Sequence, residues 1–380
     1  MSGLRYILIA NPGTKRCETF RAEFAACRAS AELEVVPWAE VVPRDGNLDD
    51  LPAFDTPAVV RLESPGKDDS VTRLLLEAGA RDDPSEPPRD WRSLELTKGL
   101  LVRPGLLHRG FYRVLRGLRT SFDARPHLMP TACPLAVAEM FDKTATCRRL
   151  EAAGVPVPEW IEDRLSLPGT VIEHTLSRGW QTAYVKLNTG SSATGIVQIH
   201  PSRERQAVGI TTLAEIGGQF YNSRLVRSVT GLELGAAVRF IIAEGAIVQR
   251  GIPMAQLDGQ NFDVRVVCLY GKPVATIFRL SHHPMTNLHL GGRRGDHDRC
   301  RAAIPTREWL DALDHCSDAA GCFDSAVAGV DLLFERGFRR HYVLEVNAFG
   351  DFFPGWTDTG GRSIHALEIE DTARRFLQGA

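Results

Sequence analysis

Three residues near the C-terminal end, Asp331, Glu345 and Asn347, have the types and spacing of a cation site. In Val343-Leu344-Glu345-Val346-Asn347 the two-residue period of a strand puts Val343, Glu345 and Asn347 on one face. In Gly329-Val330-Asp331-Leu332-Leu333-Phe334, Asp331 faces away from Val330 and Leu332. A turn centred near Phe338 sets Asp331 across from Glu345. Two carboxylates and an amide oxygen then meet on one spot, and like charges that close need a cation. An all-oxygen set suits Mg2+, one or two ions, with Mn2+ as a substitute. The alternative is a group of solvated polar positions on a half-exposed sheet.

Basic residues in apolar runs add to this. Tyr184-Val185-Lys186-Leu187 sets a lysine inside a strand, where an unpaired charge is costly. The small-residue loop Asn188-Thr189-Gly190-Ser191-Ser192-Ala193-Thr194-Gly195 follows, and its N–H groups and hydroxyls can lie on phosphate oxygens. It lacks the GxxxxGK[ST] spacing of a P-loop, and an ordinary glycine hairpin is the other reading. Lys143 follows Asp142 on a helical stretch and, taken alone, is a surface lysine. Arg265 and Arg279 each interrupt an apolar strand, where arginine meets a carboxylate or a phosphate. A structural salt bridge would place them equally well.

Two kinds of region must position these residues. Residues 1–80 alternate strand and helix: strands at 6–10, 33–36 and 58–62, helices at 15–29 and 71–78, the last stopped by Gly79. That order predicts an open parallel sheet, and no GxGxxG follows its first strand. The acidic, proline-bearing run at 82–88 reads as surface loop, and 135–153 as one helix ended by Gly154. From 183 onward the pattern is antiparallel α+β. Strands 183–187 and 195–200 flank the glycine loop, 234–242 pairs with 246–249, and 263–269 with 273–280. A helix at 307–320 precedes the last hairpin, 329–334 with 342–347.

Composition bounds the rest. The chain has 380 residues, 43% hydrophobic and 24% charged, with net charge −2. It has room for two or three domains and exerts no global pull on nucleic acid or anionic membrane. No run approaches the roughly 18 apolar residues of a membrane span. Eight cysteines without CxxC spacing argue against a zinc site or disulfide framework and for a reducing compartment. Charge is uneven: Lys98–Arg125 holds seven Lys/Arg and one acid, Asp123, a local +6 that leaves about −8 elsewhere. Arg109, Arg113 and Arg116 share a helical face there. That face either docks an anionic substrate or acidic peptide, or is a solvated face pairing with the chain's own acids.

Taken in order from about 138 to 356, these segments resemble the ATP-grasp superfamily, in its glutathione-synthetase-like and glutamate-ligase-like branch. Phe141-Asp142-Lys143-Thr144 looks like the first nucleotide lysine, with Gly154-Val155-Pro156-Val157-Pro158 after it. Lys186 looks like the second, with the mobile loop, including Ser191, Ser192 and Gly195, over the phosphates. Ile247-Val248-Gln249-Arg250-Gly251-Ile252-Pro253 resembles the adenine hinge, read by backbone groups near Arg250 and Ile252. Gln249 stands where an acid is common. Asp258 is the candidate for the ribose hydroxyls. Asp263-Val264-Arg265-Val266 and Asn287-Leu288-His289-Leu290-Gly291-Gly292 are similar to further family segments. The aromatic run Phe349-Gly350-Asp351-Phe352-Phe353-Pro354-Gly355-Trp356 replaces the usual turn after Asn347 and would border the acceptor site. Residues 61–66 resemble a group of bacterial proteins of this superfamily, a likeness that supplies no substrate.

The resemblance implies an α/β plus α+β protein of three parts. These are an N-terminal open α/β pre-ATP-grasp domain at 1–130, a lid at 131–245 and the core at 246–380. It implies a cytoplasmic, Mg2+- and ATP-dependent ligase joining a small-molecule carboxylate, or a peptide, to an amine through an acyl phosphate. Arg265 would hold the carboxylate, while Arg279, Lys143 and Lys186 neutralise phosphate charge. A kinase with the same nucleotide site, and a nucleotide-binding protein without turnover, are the competing readings.

Overall fold

The computed structural model describes residues 4–27, 31–81, 83–87, 89–161, 165, 167–190, 194–202, 206–350 and 353–379. Three sheets organise them. The N-terminal sheet has four parallel strands in the order Glu32–Pro37, Arg5–Ala10, Ala58–Leu62, Leu128–Pro130. This is the open parallel sheet that the alternating pattern predicts. Its two faces are covered differently. Tyr6, Leu8 and Ala10 pack under the Lys15–Cys27 helix and, unexpectedly, under Ile369 and Ala373 of the C-terminal helix Ile364–Gly379. Ile7, Ile9 and Val60 face the opposite way, into the core shared with the Asp69–Ala80 and Pro104–Asp123 helices.

Those two helices cross closely because glycines meet at the crossing. A Cβ on Gly110 would lie 1.8 Å from the Leu75 carbonyl oxygen, and one on Gly79 would lie 2.1 Å from that of Leu106. Gly79 therefore does not stop its helix at 78 as expected; it sits inside it as a contact point.

The second sheet has six strands, in the order Trp160–Ile161, Ala246–Arg250, Ala183–Leu187, Ile196–His200, Val208–Ile216, Gln219–Thr230. All its pairings are antiparallel, and it builds a separate core with Val185, Val197, Val238 and Ile241. The expected strand at 234–242 is instead the helix Gly231–Ala243. Its buried residues Leu234, Ala237, Val238 and Ile241 recur at helical spacing, while Glu233 and Arg239 fall outside the buried set. The strand after it, Ala246–Arg250, pairs with Ala183–Leu187 and so belongs to this second sheet.

The third sheet is antiparallel, in the order Arg293–Arg294, Lys272–Ser281, Gln260–Leu269, Val327–Phe334, His341–Asn347. Tyr270 and Gly271, both at positive φ, make the two-residue turn of its first hairpin. The Thr306–Gly321 helix covers its back. The helical stretch at 135–153 divides into Pro134–Phe141 and Lys143–Ala152, with Asp142 between them in extended conformation. All eight cysteines are free thiols, and no described helix is long and apolar enough to cross a membrane.

Candidate active site

The second and third sheets face each other across a cleft, and strand alternation decides what looks into it. In Val327–Phe334, Val330, Leu332 and Phe334 enter the core while Asp331 and Leu333 line the cleft. In Gln260–Leu269, Phe262 and Val264 go inward and Asp263 lines the cleft. In Ala183–Leu187, Ala183 and Val185 go inward while Tyr184 and Lys186 face the third sheet. One expectation fails here. The register slips between Asp331 and Leu332, so Asp331 pairs with Glu345 but Leu332 pairs with Val343. The extra residue, Leu344, bulges toward the cleft, and Val343 turns into the core, away from the face it was expected to share with Glu345.

Charged side chains form a ladder across the third sheet. Arg279 donates from Nε and Nη2 to the two carboxylate oxygens of Asp263, at 2.7 and 2.5 Å, and its Nη2 lies 3.1 Å from Asp331. Arg265 donates to the other side of Asp331 at 2.5 and 3.3 Å. Burial pushes the Asp331 carboxyl upward, but Arg265 and Arg279 outweigh it and hold it at about 2. Burial opposes the charge on Arg279, and Asp263 and Asp331 more than restore it. Gly329 makes room for this ladder, since a Cβ there would lie 2.9 Å from Arg265 Nη1.

Lysines come from the opposite side. Lys186 Nζ donates to Gln249 Oε1 at 2.8 Å, and Gln249 Nε2 reaches Cys147 Sγ at 3.3 Å. Burial lowers the Lys186 pKa, Lys143 lowers it further, and Glu345 and Asp331 oppose the shift. Burial pushes the Cys147 thiol up to about 11, so Gln249 faces a neutral thiol. Lys143 Nζ bonds the Gly190 carbonyl and stands 3.7 Å from Glu345 Oε2. Its helix start is clamped. Asp142 Oδ1 accepts from Ala145 N–H and from Asn188 Nδ2, and Asn188 Oδ1 accepts from Thr144 N–H and Oγ1, all at 2.9 Å.

Lys143, Lys186, Gln249, Arg250, Ile252, Arg279, Asp331 and Glu345 thus line one cleft. Its inner part, about 110 Å³, opens past Lys143, Gly190 and Glu345 into an outer part of about 500 Å³ lined also by Arg265, Asn347 and Phe349. Asn347 Nδ2 donates to the Gly329 carbonyl, which leaves its amide oxygen for another partner. Asp258 is not brought there. It sits at positive φ in an exposed turn, paired with Arg299 at 2.7 Å, because the Gln256–Leu257 and Gln260–Leu269 strands reverse at that point. Gly195 sits at the base of the glycine loop, at φ +62, where a Cβ would lie 2.3 Å from Leu187 Cδ1; its carbonyl accepts from Leu187 N–H. Ser191 and Ser192 lie outside the described residues. In the hinge, Arg250 N–H is taken by the Glu159 carbonyl and Gly251 N–H by that of Thr182.

Sequence reading missed Tyr184, Asp263, Met254, Thr286, Leu333 and Leu344, all of which line the inner cleft. Asp263 had a signal, since it is two residues from Arg265 on the same face. Leu344 had none, because the bulge exposing it is a property of the pairing.

The basic stretch resolves into ion pairs. Arg103 pairs with Glu86 and Glu244, Arg109 with Asp83, Arg113 with Asp45, Arg119 with Asp123 and Arg125 with Asp49. This is the reading in which the arginines meet the chain's own acids.

Known proteins share this fold. The profile of the family described as YheC/D like ATP-grasp matches residues 133–319. Among solved structures, the chain is similar to the ATP-grasp ligase PsnB complexed with a phosphomimetic variant of its minimal precursor, Mg and ADP. There the TM-score is 0.52 at 17% identity, over 98% of this chain and 100% of that one. It is also similar to D-alanine–D-alanine ligase from Bacillus anthracis complexed with ATP, at TM-score 0.54, 11% identity and full coverage of both chains. D-cycloserine synthetase DcsG gives TM-score 0.52 and 14% identity, over 98% of this chain and 99% of that one. At such identities the likeness is one of fold. No curated protein matches the sequence.

Proposed function

The chain belongs to the ATP-grasp superfamily, and from that premise we propose that it is an ATP- and Mg2+-dependent ligase coupling a carboxylate to an amine. One observation carries the reading: Lys143 and Lys186 face Arg279, Asp331 and Glu345 across a single cleft, with Asn347 at its mouth. Among the described residues, seven Lys/Arg (Arg16, Lys67, Lys143, Lys186, Arg250, Arg265, Arg279) line the two parts of the cleft with three carboxylates (Asp263, Asp331, Glu345), an excess of positive charge that suits a polyanion. The residues also fit a divalent cation. Glu345, the Asn347 amide oxygen and Asp331 form an all-oxygen set, the donor chemistry of Mg2+.

When bound, ATP supplies a γ-phosphoryl group: a substrate carboxylate oxygen bonds to phosphorus as ADP leaves, then an amine nitrogen bonds to the acyl carbon as phosphate leaves, and the nitrogen loses a proton. The chain's part is positioning and electrostatics. Lys186, held by Gln249, and Lys143, held by the Asp142–Asn188 clamp, present ammonium groups to phosphate oxygens. Arg279 stays charged because two carboxylates grip it. Arg265, in the outer cleft beside Asn347, is the group to hold the substrate carboxylate. The glycine loop, from its described residues Gly190 and Thr194, covers the same cleft and would exclude water. A reducing, cytoplasmic setting fits the free thiols.

The test is ADP release by purified protein with Mg-ATP and pooled amino acids, dipeptides and dicarboxylates, followed by mass spectrometry. An amide product lost in Glu345→Gln supports the ligase. A phosphorylated product without amide would instead make it a kinase. Absence of ATP binding would overturn both.

A further inference from the structure

A second chamber opens off the active cleft, and its chemistry differs from that of the cleft. It holds about 290 Å³ between the N-terminal domain and the glycine loop. Its walls are Leu75, Leu107 and Phe111 of the two crossing helices, and Leu100, Leu101 and Val102 of the segment before Pro104. Ser64, Gly66, Phe141 and Gly190 line both this chamber and the outer cleft, so the two are continuous. Gly190 is also the residue whose carbonyl holds Lys143.

Among the described residues, no Asp, Glu, Lys or Arg lines the chamber, and His108 is the one titratable group there. Burial keeps that imidazole's pKa below its usual value, so it is neutral at pH 7. The outer cleft, by contrast, carries Arg16, Lys67, Lys143 and Arg265. The long helix Pro104–Asp123 explains the contrast. Arg109, Arg113 and Arg119 are committed to Asp83, Asp45 and Asp123, while Leu107 and Phe111 turn toward the site. A charged group entering the chamber would lose its hydration with nothing to replace it, whereas apolar surface gains there. Two polar atoms of the wall residues, His108 Nε2 and Thr189 Oγ1, are buried without a partner among the described residues. They leave hydrogen-bonding capacity for a single polar group in an otherwise apolar occupant.

We propose that this chamber receives the side chain of one of the two coupled substrates, and that this substrate is an amino acid with an uncharged aliphatic or aromatic side chain. The volume sits at the small end of ligand sites, roughly 300–1,000 Å³, which suits amino-acid size. Continuity through Phe141 and Gly190 leaves the substrate's polar end in the cleft beside Lys143 and Arg265. The inference rests on the ligase reading, which does not itself specify a side chain.

The experiment uses the full chain with Mg-ATP and single amino acids in place of pools. Leu, Ile, Phe and Trp are compared with Asp, Glu and Lys by ADP release. Thermal shift in the presence of a non-hydrolysable ATP analogue reads binding separately. Two variants at half-buried loop positions, Leu100→Trp to fill the chamber and Leu96→Glu to charge it, are run in parallel. Expected are a kcat/KM at least tenfold higher for apolar than for charged amino acids, and a KM for them at least tenfold higher in both variants. Nucleotide affinity should stay within twofold. Preference for charged amino acids, or apolar ligands that stabilise wild type and Leu100→Trp equally, overturns the chamber assignment and leaves the ligase intact. Failure to bind nucleotide at all brings down the reading beneath it.

Discussion

Arg279 shows how a single residue holds the site together. It is 7% exposed, and Asp263 and Asp331 beside it are 4% and 6% exposed. Removing one partner of a buried ion pair strands the others in low dielectric. Arg279→Leu is therefore expected to lower stability by about 3–5 kcal/mol, read as a shift of the urea unfolding midpoint. An unchanged midpoint would mean that water reaches the two carboxylates. Gln249 acts through Lys186. Gln249→Leu removes the acceptor at 2.8 Å and lowers the lysine pKa further. ATP affinity should fall about tenfold at pH 7.5, roughly 1.4 kcal/mol, and fall off at lower pH than in wild type as pH rises. Calorimetry across pH 7–9 would show a parallel shift at every pH if Gln249 contributed shape alone.

At the scale of elements, the glycine crossing and the strand bulge matter most. Gly110→Ala puts a methyl group 1.8 Å from the Leu75 carbonyl, and backbone cannot yield as a side-chain tip can. The expected loss is on the order of 2–3 kcal/mol, with a lower melting temperature. Because these helices wall the chamber, the substrate KM should change more than ATP affinity. Equal stability would show that the helices can separate without cost. The bulge at Leu344 lets one short strand place Glu345 and Asn347 on the cleft while keeping Val343 and Val346 in the core. Strict alternation over the same residues would have buried one valine less.

Across the whole molecule, the C-terminal helix returns to the N-terminal sheet through buried charge. Arg61 Nε meets Glu368 Oε1 at 2.6 Å and its Nη1 meets Glu63 Oε2 at 2.8 Å, while Arg16 joins Glu63 to the Phe349 carbonyl near the cleft. Burial pushes the Glu368 carboxyl up, but Arg61 and His365 outweigh it and bring it from 4.5 to about 2. A depressed carboxylate stabilises the fold fully above its unfolded pKa. That contribution, on the order of 3 kcal/mol, is lost as pH falls from about 4.5 toward 2. His108 and His341, lowered from 6.5 chiefly by burial, act in the same direction from about pH 6.5 downward. His341 also faces His315 and Asp311. Stability should therefore fall steadily from pH 7 to pH 2, and Glu368→Gln should lessen the fall below pH 4.5, leaving the share of Asp331, which is also held at about 2. A flat denaturation midpoint over that range would contradict both assignments.

The sequence by itself determined what period and residue type determine. Apolar positions two apart in 329–334 and 263–269 separate core from cleft, and a turn centred near Phe338 then puts Asp331 across from Glu345. The order of lysines, hinge and carboxylates named the superfamily. What failed was non-local. In 231–243 the density of apolar residues outweighed the polar breaks at Glu233 and Arg239 that mark its helical period, and Gly79 was read as a stop because its neighbour across the helix crossing is distant in sequence. Asp258 had suitable chemistry, yet a hairpin turned it to solvent. Only the tertiary structure decided that Arg103, Arg109, Arg113, Arg119 and Arg125 are spent on the chain's own acids, and that the Pro104–Asp123 helix shows the site an apolar face. Those choices depend on which distant groups arrive beside a side chain, and local spacing carries no record of them.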